Sequence, residues 1–140
     1  MYRATREIYE AFQDNDLKCI VKEYDHSSIL VAGMTGKTTS FEVYFVSKDN
    51  DNDVSLRVPD LVHIDPMLMT PLLHAVNKLN FKYRYAKFVV DEEEHTVGIV
   101  FDVPLNAENT GSIALELLAR ACRAVDEAYP VLVQYAGEEE

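Results

Sequence analysis

Three stretches of this chain place apolar side chains at every second position: Phe41, Val43 and Phe45, then Val54, Leu56 and Val58, then Val97, Ile99, Phe101 and Val103. A period of two is the mark of a strand with one face buried. The connections beside these stretches are short: Gly36-Lys37-Thr38-Thr39 precedes the first, and Asp91 to His95 precedes the last. Parallel neighbours need a crossover of about a dozen residues, so turns of this length permit only antiparallel pairing. That restriction selects an antiparallel sheet.

The remaining segments fill in the order. Leu17 to Tyr24 alternates, with Leu17, Cys19 and Val21 on one face and Ile20 and Tyr24 on the other, and Ile29 to Met34 reads as another strand. Tyr83 to Val90 pairs naturally with Thr96 to Val103 across the acidic turn. Helices are expected over Tyr2 to Phe12, which the polar run Asp14-Asn15-Asp16 ends, and from Asp65-Pro66 or Thr70-Pro71 onward, where an N-cap acceptor precedes proline. A last helix is expected over Gly111 to Ala128, with Tyr129-Pro130 as its stop because the residue before proline resists the α region. Pro59 is likewise expected to break the strand that ends at Val58. The reading is an α+β chain in the order α-β-β-β(-β)-α-β-β-α, a single antiparallel sheet of five or six strands with helices packed on it. Residues 1–136 form one domain, and Gly137 to Glu140 a frayed acidic tail.

Charge narrows the partners. Acidic residues outnumber basic ones 24 to 13 in 140 residues, a formal net charge of −11. Such a surface repels phosphate backbones and anionic lipid, so neither nucleic acid nor a membrane is the expected partner. The start, MYRATREIYE, has no apolar segment of the secretory type, and no run of 18 apolar residues occurs anywhere. Cys19 and Cys122 lack CxxC or metal-ligand spacing and read as free thiols of a cytoplasmic protein.

Two stretches imitate known sites. In SKDNDNDVSLRVPD, Asp49, Asp51 and Asp53 match the first, third and fifth positions of a calcium loop. The sixth position, where a sharp turn needs glycine, is Val54, and the twelfth is Asp60 rather than glutamate. Strands flank it where helices belong, so it reads as a hairpin loop, with the three aspartates as a weak metal candidate. In AGMTGKTT, Gly36-Lys37-Thr38 suggests a phosphate loop, but the required earlier glycine is Val31 and the next element is a strand. It reads as a hairpin turn. His63-Ile64-Asp65 is the nearest approach to an acid–base or metal pair, and the four histidines are otherwise scattered. No nucleophile elbow or catalytic cysteine setting is visible. No catalytic residues and no cofactor are expected.

From Leu73 onward, the strands RYAKFVVDEE and VGIVFDVPL, Asn77 and Asn80 at the end of the middle helix, and a long helix ending near Tyr-Pro resemble the YbjN family of small bacterial proteins, regarded as sensory transduction regulators. The N-terminal half agrees in the order of its elements. The resemblance implies a fold similar to type III secretion chaperones, a twisted antiparallel sheet with helices on it, often dimeric, which holds extended segments of client proteins. It carries over no catalytic motif.

The expected role is therefore a non-enzymatic protein-binding module, chaperone-like or regulatory. The alternative is a small-molecule or metal sensor using the Asp49–Asp53 loop or His63. An antiparallel sheet with helices on one side leaves its other face bare. Ile20, Tyr24, Tyr44 and Val46 are the apolar residues opposite the core face, and so the candidate contacts for a client or for a second copy in a homodimer.

Overall fold

The computed structural model describes residues 1–48, 53–104 and 108–137. Its elements are α1 (Arg3–Asp14), β1 (Ile20–Glu23), β2 (Ser27–Thr35), β3 (Ser40–Lys48), β4 (Asp53–His63), α2 (Met69–Lys82), β5 (Lys87–Asp91), β6 (Thr96–Pro104) and α3 (Thr110–Leu132). The strands form one six-stranded sheet in the order β1-β2-β3-β4-β6-β5, every neighbouring pair antiparallel. The α+β class and the order of elements are those expected from the sequence.

The register explains the core. Val21, Leu30, Phe45, Leu56 and Phe101 stand directly opposite one another across five strands, and directly opposed residues share a face. The last four of these are buried, because the helices lie on this side. The ring of Phe12 from α1 meets Phe45 edge-on at 5.8 Å. Thr5 of α1 and Ser28 of β2 join their hydroxyls in a buried hydrogen bond, which satisfies two polar groups that burial would otherwise penalise. The helix α3 packs along β4 and against α1, while α2 packs on β5. The polar run after α1 ends it as expected, through a Schellman motif: Leu17 N donates to Phe12 O at 2.9 Å, Asp16 N donates to Gln13 O at 3.2 Å, and Asp16 takes a φ of 56°.

Both prolines expected to stop an element fail to do so. Strand β4 continues past Pro59 to His63, because the extra residues are absorbed in a bulge: the register with β6 shifts between Val58 and Val62, and Asp60 adopts a φ of 50°. Gly98 of β6 makes room for it, since a Cβ there would lie 2.7 Å from the Val58 carbonyl oxygen. Helix α3 likewise runs through Pro130 to Leu132. Proline has no N–H to give the carbonyl four residues back, that of Asp126. Thr38 Oγ1 from the β2–β3 hairpin donates to that same carbonyl at 3.3 Å, so the group left over by proline has a partner. Two strands are also shorter than their apolar pattern. β5 starts at Lys87 because Tyr83 caps α2, and β1 starts at Ile20 because Leu17 completes the motif that ends α1.

Beyond α3 the chain returns to the end of β4: Asp65 N donates to Tyr135 O at 2.9 Å and Gly137 N donates to His63 O at 3.0 Å. Residues 138–140 of the acidic tail lie outside the described residues.

Candidate protein-binding surface

The side of the sheet away from the helices carries its own continuous row. Ile20, Val31, Tyr44, Arg57, Val100 and Lys87 oppose one another in turn across all six strands. Beside it runs Lys22, Ile29, Val46, Ser55 and Asp102. The β1–β3 end of these rows is mostly apolar, whereas charge enters with Arg57 and Asp102 nearer the other end. Ile20 is 58% exposed and Tyr24 56%, while Tyr44 and Val46 are half-buried. Val31 is only 7% exposed although no helix reaches it, because Ile20 and Tyr44 flank it in the row.

The four sequence candidates are therefore brought to one end of one face. Ile20 and Tyr44 share the first row, Val46 lies in the second, and Tyr24 follows Lys22 by two residues, its N–H donating to Ser27 O at 2.9 Å. Sequence reasoning did not pick out Ile29, Val31 and Val100, which belong to the same face. The signal was available, since Ile29 and Val31 share a parity in a strand whose inward residues are Leu30 and Ala32.

The two edges of the sheet differ. Along β5, Asn80 of α2 stands in for a missing strand: Phe88 N donates to Asn80 Oδ1 at 2.6 Å and Asn80 Nδ2 donates to Phe88 O at 3.1 Å. Lys87 Nζ folds over the same edge, donating to the carbonyls of Asn80 at 3.0 Å and Tyr83 at 2.9 Å. Nearby, Tyr83 OH donates to Glu127 Oε1 at 2.6 Å. Burial and this carboxylate push the phenol well above its usual range, and the phenol, with Lys82 and Arg123, holds the Glu127 carboxyl below its own. At the opposite edge, β1 pairs with β2 on one side, and no backbone hydrogen bond among the described residues engages its other side.

The imitations of known sites resolve as follows. Asp49 and Asp51 lie outside the described residues, and Asp53 is an exposed residue at the start of β4, opposite Pro104. The Gly36-Lys37-Thr38 turn points its amides at a carboxylate of the protein itself: Asp126 Oδ1 accepts from Lys37 N at 2.7 Å and from Thr38 N at 3.1 Å. Amides so engaged are not free to cradle a phosphate. Asp65 spends its carboxylate as the cap of the 3-10 turn Pro66–Leu68, accepting from Met67 N at 3.0 Å, and His63 is exposed. Among the described residues no three His, Cys, Asp or Glu side chains are grouped as metal ligands. Burial raises both thiols, with Asp126 adding to the effect at Cys122, which works against thiolate chemistry.

Two grooves mark the helical side. One of about 550 Å³ lies between α2 and the end of α3, lined by Pro71, His74, Lys78, Leu79, Val131 and Tyr135. The other, about 400 Å³, lies beside Tyr85 and the first half of α3. There Arg120 rests 5.3 Å from the Tyr85 ring while its Nε donates to Glu116 at 3.1 Å, so the charged groups of that groove are paired with each other. No helix among the described residues is long and apolar enough to cross a membrane.

A single sheet backed by helices on one side and bare on the other defines the class: an α+β module with an open sheet face. Residues 6–133 match the family YbjN, described as "Putative bacterial sensory transduction regulator". That match spans nearly the whole sequence, and the chain belongs to the YbjN family. Among solved structures it is similar to YbjN from E. coli, titled "a putative transcription regulator", with a TM-score of 0.58 and 11% identity over 90% of this chain and 91% of that one. At that identity the likeness speaks for the fold. A search of curated protein sequences gave no significant match.

Proposed function

We propose that this chain is a non-enzymatic, cytoplasmic protein-binding module with a regulatory or chaperone-like role, and that the open sheet face at β1–β3 is its contact surface. The observation that carries the reading is the apolar end of that face, where Ile20, Tyr24, Tyr44 and Val46 gather with Ile29 and Val31 on the side that no helix covers. Contiguous exposed apolar surface of this kind commonly marks an interaction site. Family membership supports a regulatory partner. The E. coli relative is described as a transcription regulator. With a net charge of −11, the present chain would serve such a role through protein contacts rather than by touching DNA.

Photo-crosslinking in cells tests this. A benzophenone amino acid at position 44 is expected to capture a partner, with capture lost when Ile20→Asp is added, while the same probe at exposed position 123 on α3 captures none. Equal capture from position 123, or none from position 44, would sink the reading. An adduct with a second copy of this chain identifies the homodimer that the sequence suggests, and an adduct with another protein identifies a client or regulated partner.

A further inference from the structure

We infer that the partner docks by strand addition, as an extended segment that pairs with the outer edge of β1 and carries an apolar-x-acidic-x-apolar pattern. This rests on the open face being the contact surface, and adds how that face is entered and by what chemistry.

The argument begins with hydrogen bonds. An edge strand presents a row of unpaired amides and carbonyls, which proteins usually blunt or cover. This molecule covers one edge with the paired bonds of Asn80 to Phe88 and the ammonium of Lys87. No backbone group among the described residues bonds to β1 on its outer side. Addition of an extended peptide to such an edge is an established mode of recognition, in which backbone bonds give affinity and alternate side chains give specificity.

The side chains of β1 then set the pattern. Along the open face the strand presents Ile20 and Lys22, followed by Tyr24, and all three are exposed. Residues directly opposite across a strand pair touch, and opposite charges there are favourable while like charges are not. A partner therefore gains by placing an apolar residue beside Ile20, a carboxylate beside Lys22 and an apolar or aromatic residue beside Tyr24. Its intervening residues fall on the helix side, next to half-buried Val21. The neighbouring strands extend the apolar contact, since Val31 and Tyr44 continue the row from Ile20.

The same pattern disfavours a second copy at this edge. A twofold pairing over Ile20 to Tyr24 that keeps both open faces on one side sets Lys22 against Lys22. The chain's charge of −11 adds repulsion between copies. Lys22 thus acts as a selector: it discourages self-pairing and rewards an acidic strand.

The probe is a fluorescein-labelled nine-residue peptide with valine, glutamate and tyrosine at alternate positions between threonines, followed by anisotropy. Saturable binding is expected. Lys22→Glu is expected to weaken it roughly tenfold, and a peptide with lysine in place of its glutamate to recover binding to that variant. Of two peptides N-methylated on alternate sets of backbone nitrogens, one should keep its affinity and the other lose it, which separates strand pairing from mere adhesion to the apolar face. Circular dichroism of Lys22→Glu confirms that the variant is folded. Binding indifferent to Lys22, or to both methylation patterns, overturns the inference. So does a Lys22-dependent dimer in sedimentation equilibrium, since a second copy would then occupy the edge. Absence of peptide binding while position 44 still captures its partner also overturns strand addition but leaves the face reading intact. Lys22-dependent peptide binding without capture at position 44 does the reverse.

Discussion

The β5 edge and the β1 edge are both the last strand of the same sheet, yet one is closed and the other open. At β5 a side-chain amide reproduces what a seventh strand would offer, one acceptor and one donor spaced to meet Phe88 N and O. An asparagine can do this because its amide carries the same donor and acceptor groups as a peptide unit. At β1 the strand is four residues long and bears lysine at its third position. Shortness and lysine also blunt an edge, but they do so without using up its hydrogen bonds. The difference teaches that an edge can be sealed by satisfying its backbone, or kept selective by its side chains alone.

The contrast can be broken most severely at Asn80. Asn80→Leu keeps the bulk and removes both bonds to the part-buried Phe88 backbone, so a loss of about 2–3 kcal/mol is expected in urea unfolding, with a new tendency to aggregate through the uncovered edge. Asn80→Asp sharpens the point, because a carboxylate still accepts from Phe88 N but turns an acceptor toward Phe88 O, and it too should destabilise. A cost near zero for both variants would mean that Asn80 does not close the edge.

A smaller effect is expected at Tyr83, whose hydroxyl ties the end of α2 to Glu127 on α3. Tyr83→Phe should lower Tm by a few degrees at neutral pH. Glu127 is held below its ordinary value by the Tyr83 hydrogen bond first, and then by Lys82 and Arg123. A depressed carboxyl adds stability that is present above its unfolded pKa and disappears as pH falls through the folded one. The gap in Tm between the native protein and Tyr83→Phe should therefore narrow on acidification below the usual carboxylate range. A gap that widens there would refute the assignment.

The smallest effect belongs to the open edge. Lys22→Ala and Ile20→Ser remove exposed side chains and should each shift stability by no more than about 0.5 kcal/mol, as for surface positions without special partners. A larger loss by chemical denaturation would show that these residues hold the fold, and that the edge is not free for a partner.

Much of this architecture was legible in advance, for physical reasons. Period-two patterning and short turns dictate antiparallel strands, and the candidates Ile20, Tyr24, Tyr44 and Val46 follow from strand parity alone. The two prolines were misread because the local rule was sound but its exceptions are tertiary. Pro59 is accommodated by Gly98 on another strand, and Pro130 by Thr38 nearly the whole chain away. Asn80 was noticed as the end of a helix, but its bonds to Phe88 depend on where α2 lands beside β5. No spacing in the sequence announces that. The openness of the β1 edge was equally hidden, since an edge is defined by what does not lie next to it.

The clasp between the β2–β3 turn and Asp126 bears on how the chain finds this structure. It joins residues 88 apart in sequence, and closing a loop of that length costs on the order of 4 kcal/mol in chain entropy. Hairpin tips generally form early, from neighbours. This one reaches its final form only when the carboxyl-terminal half of α3 has docked, because its turn amides and the carbonyl released by Pro130 are completed by each other. The first hairpin and the last helix thus mature in the same event, and a nascent chain that has not yet delivered α3 carries its GKTT turn unclasped.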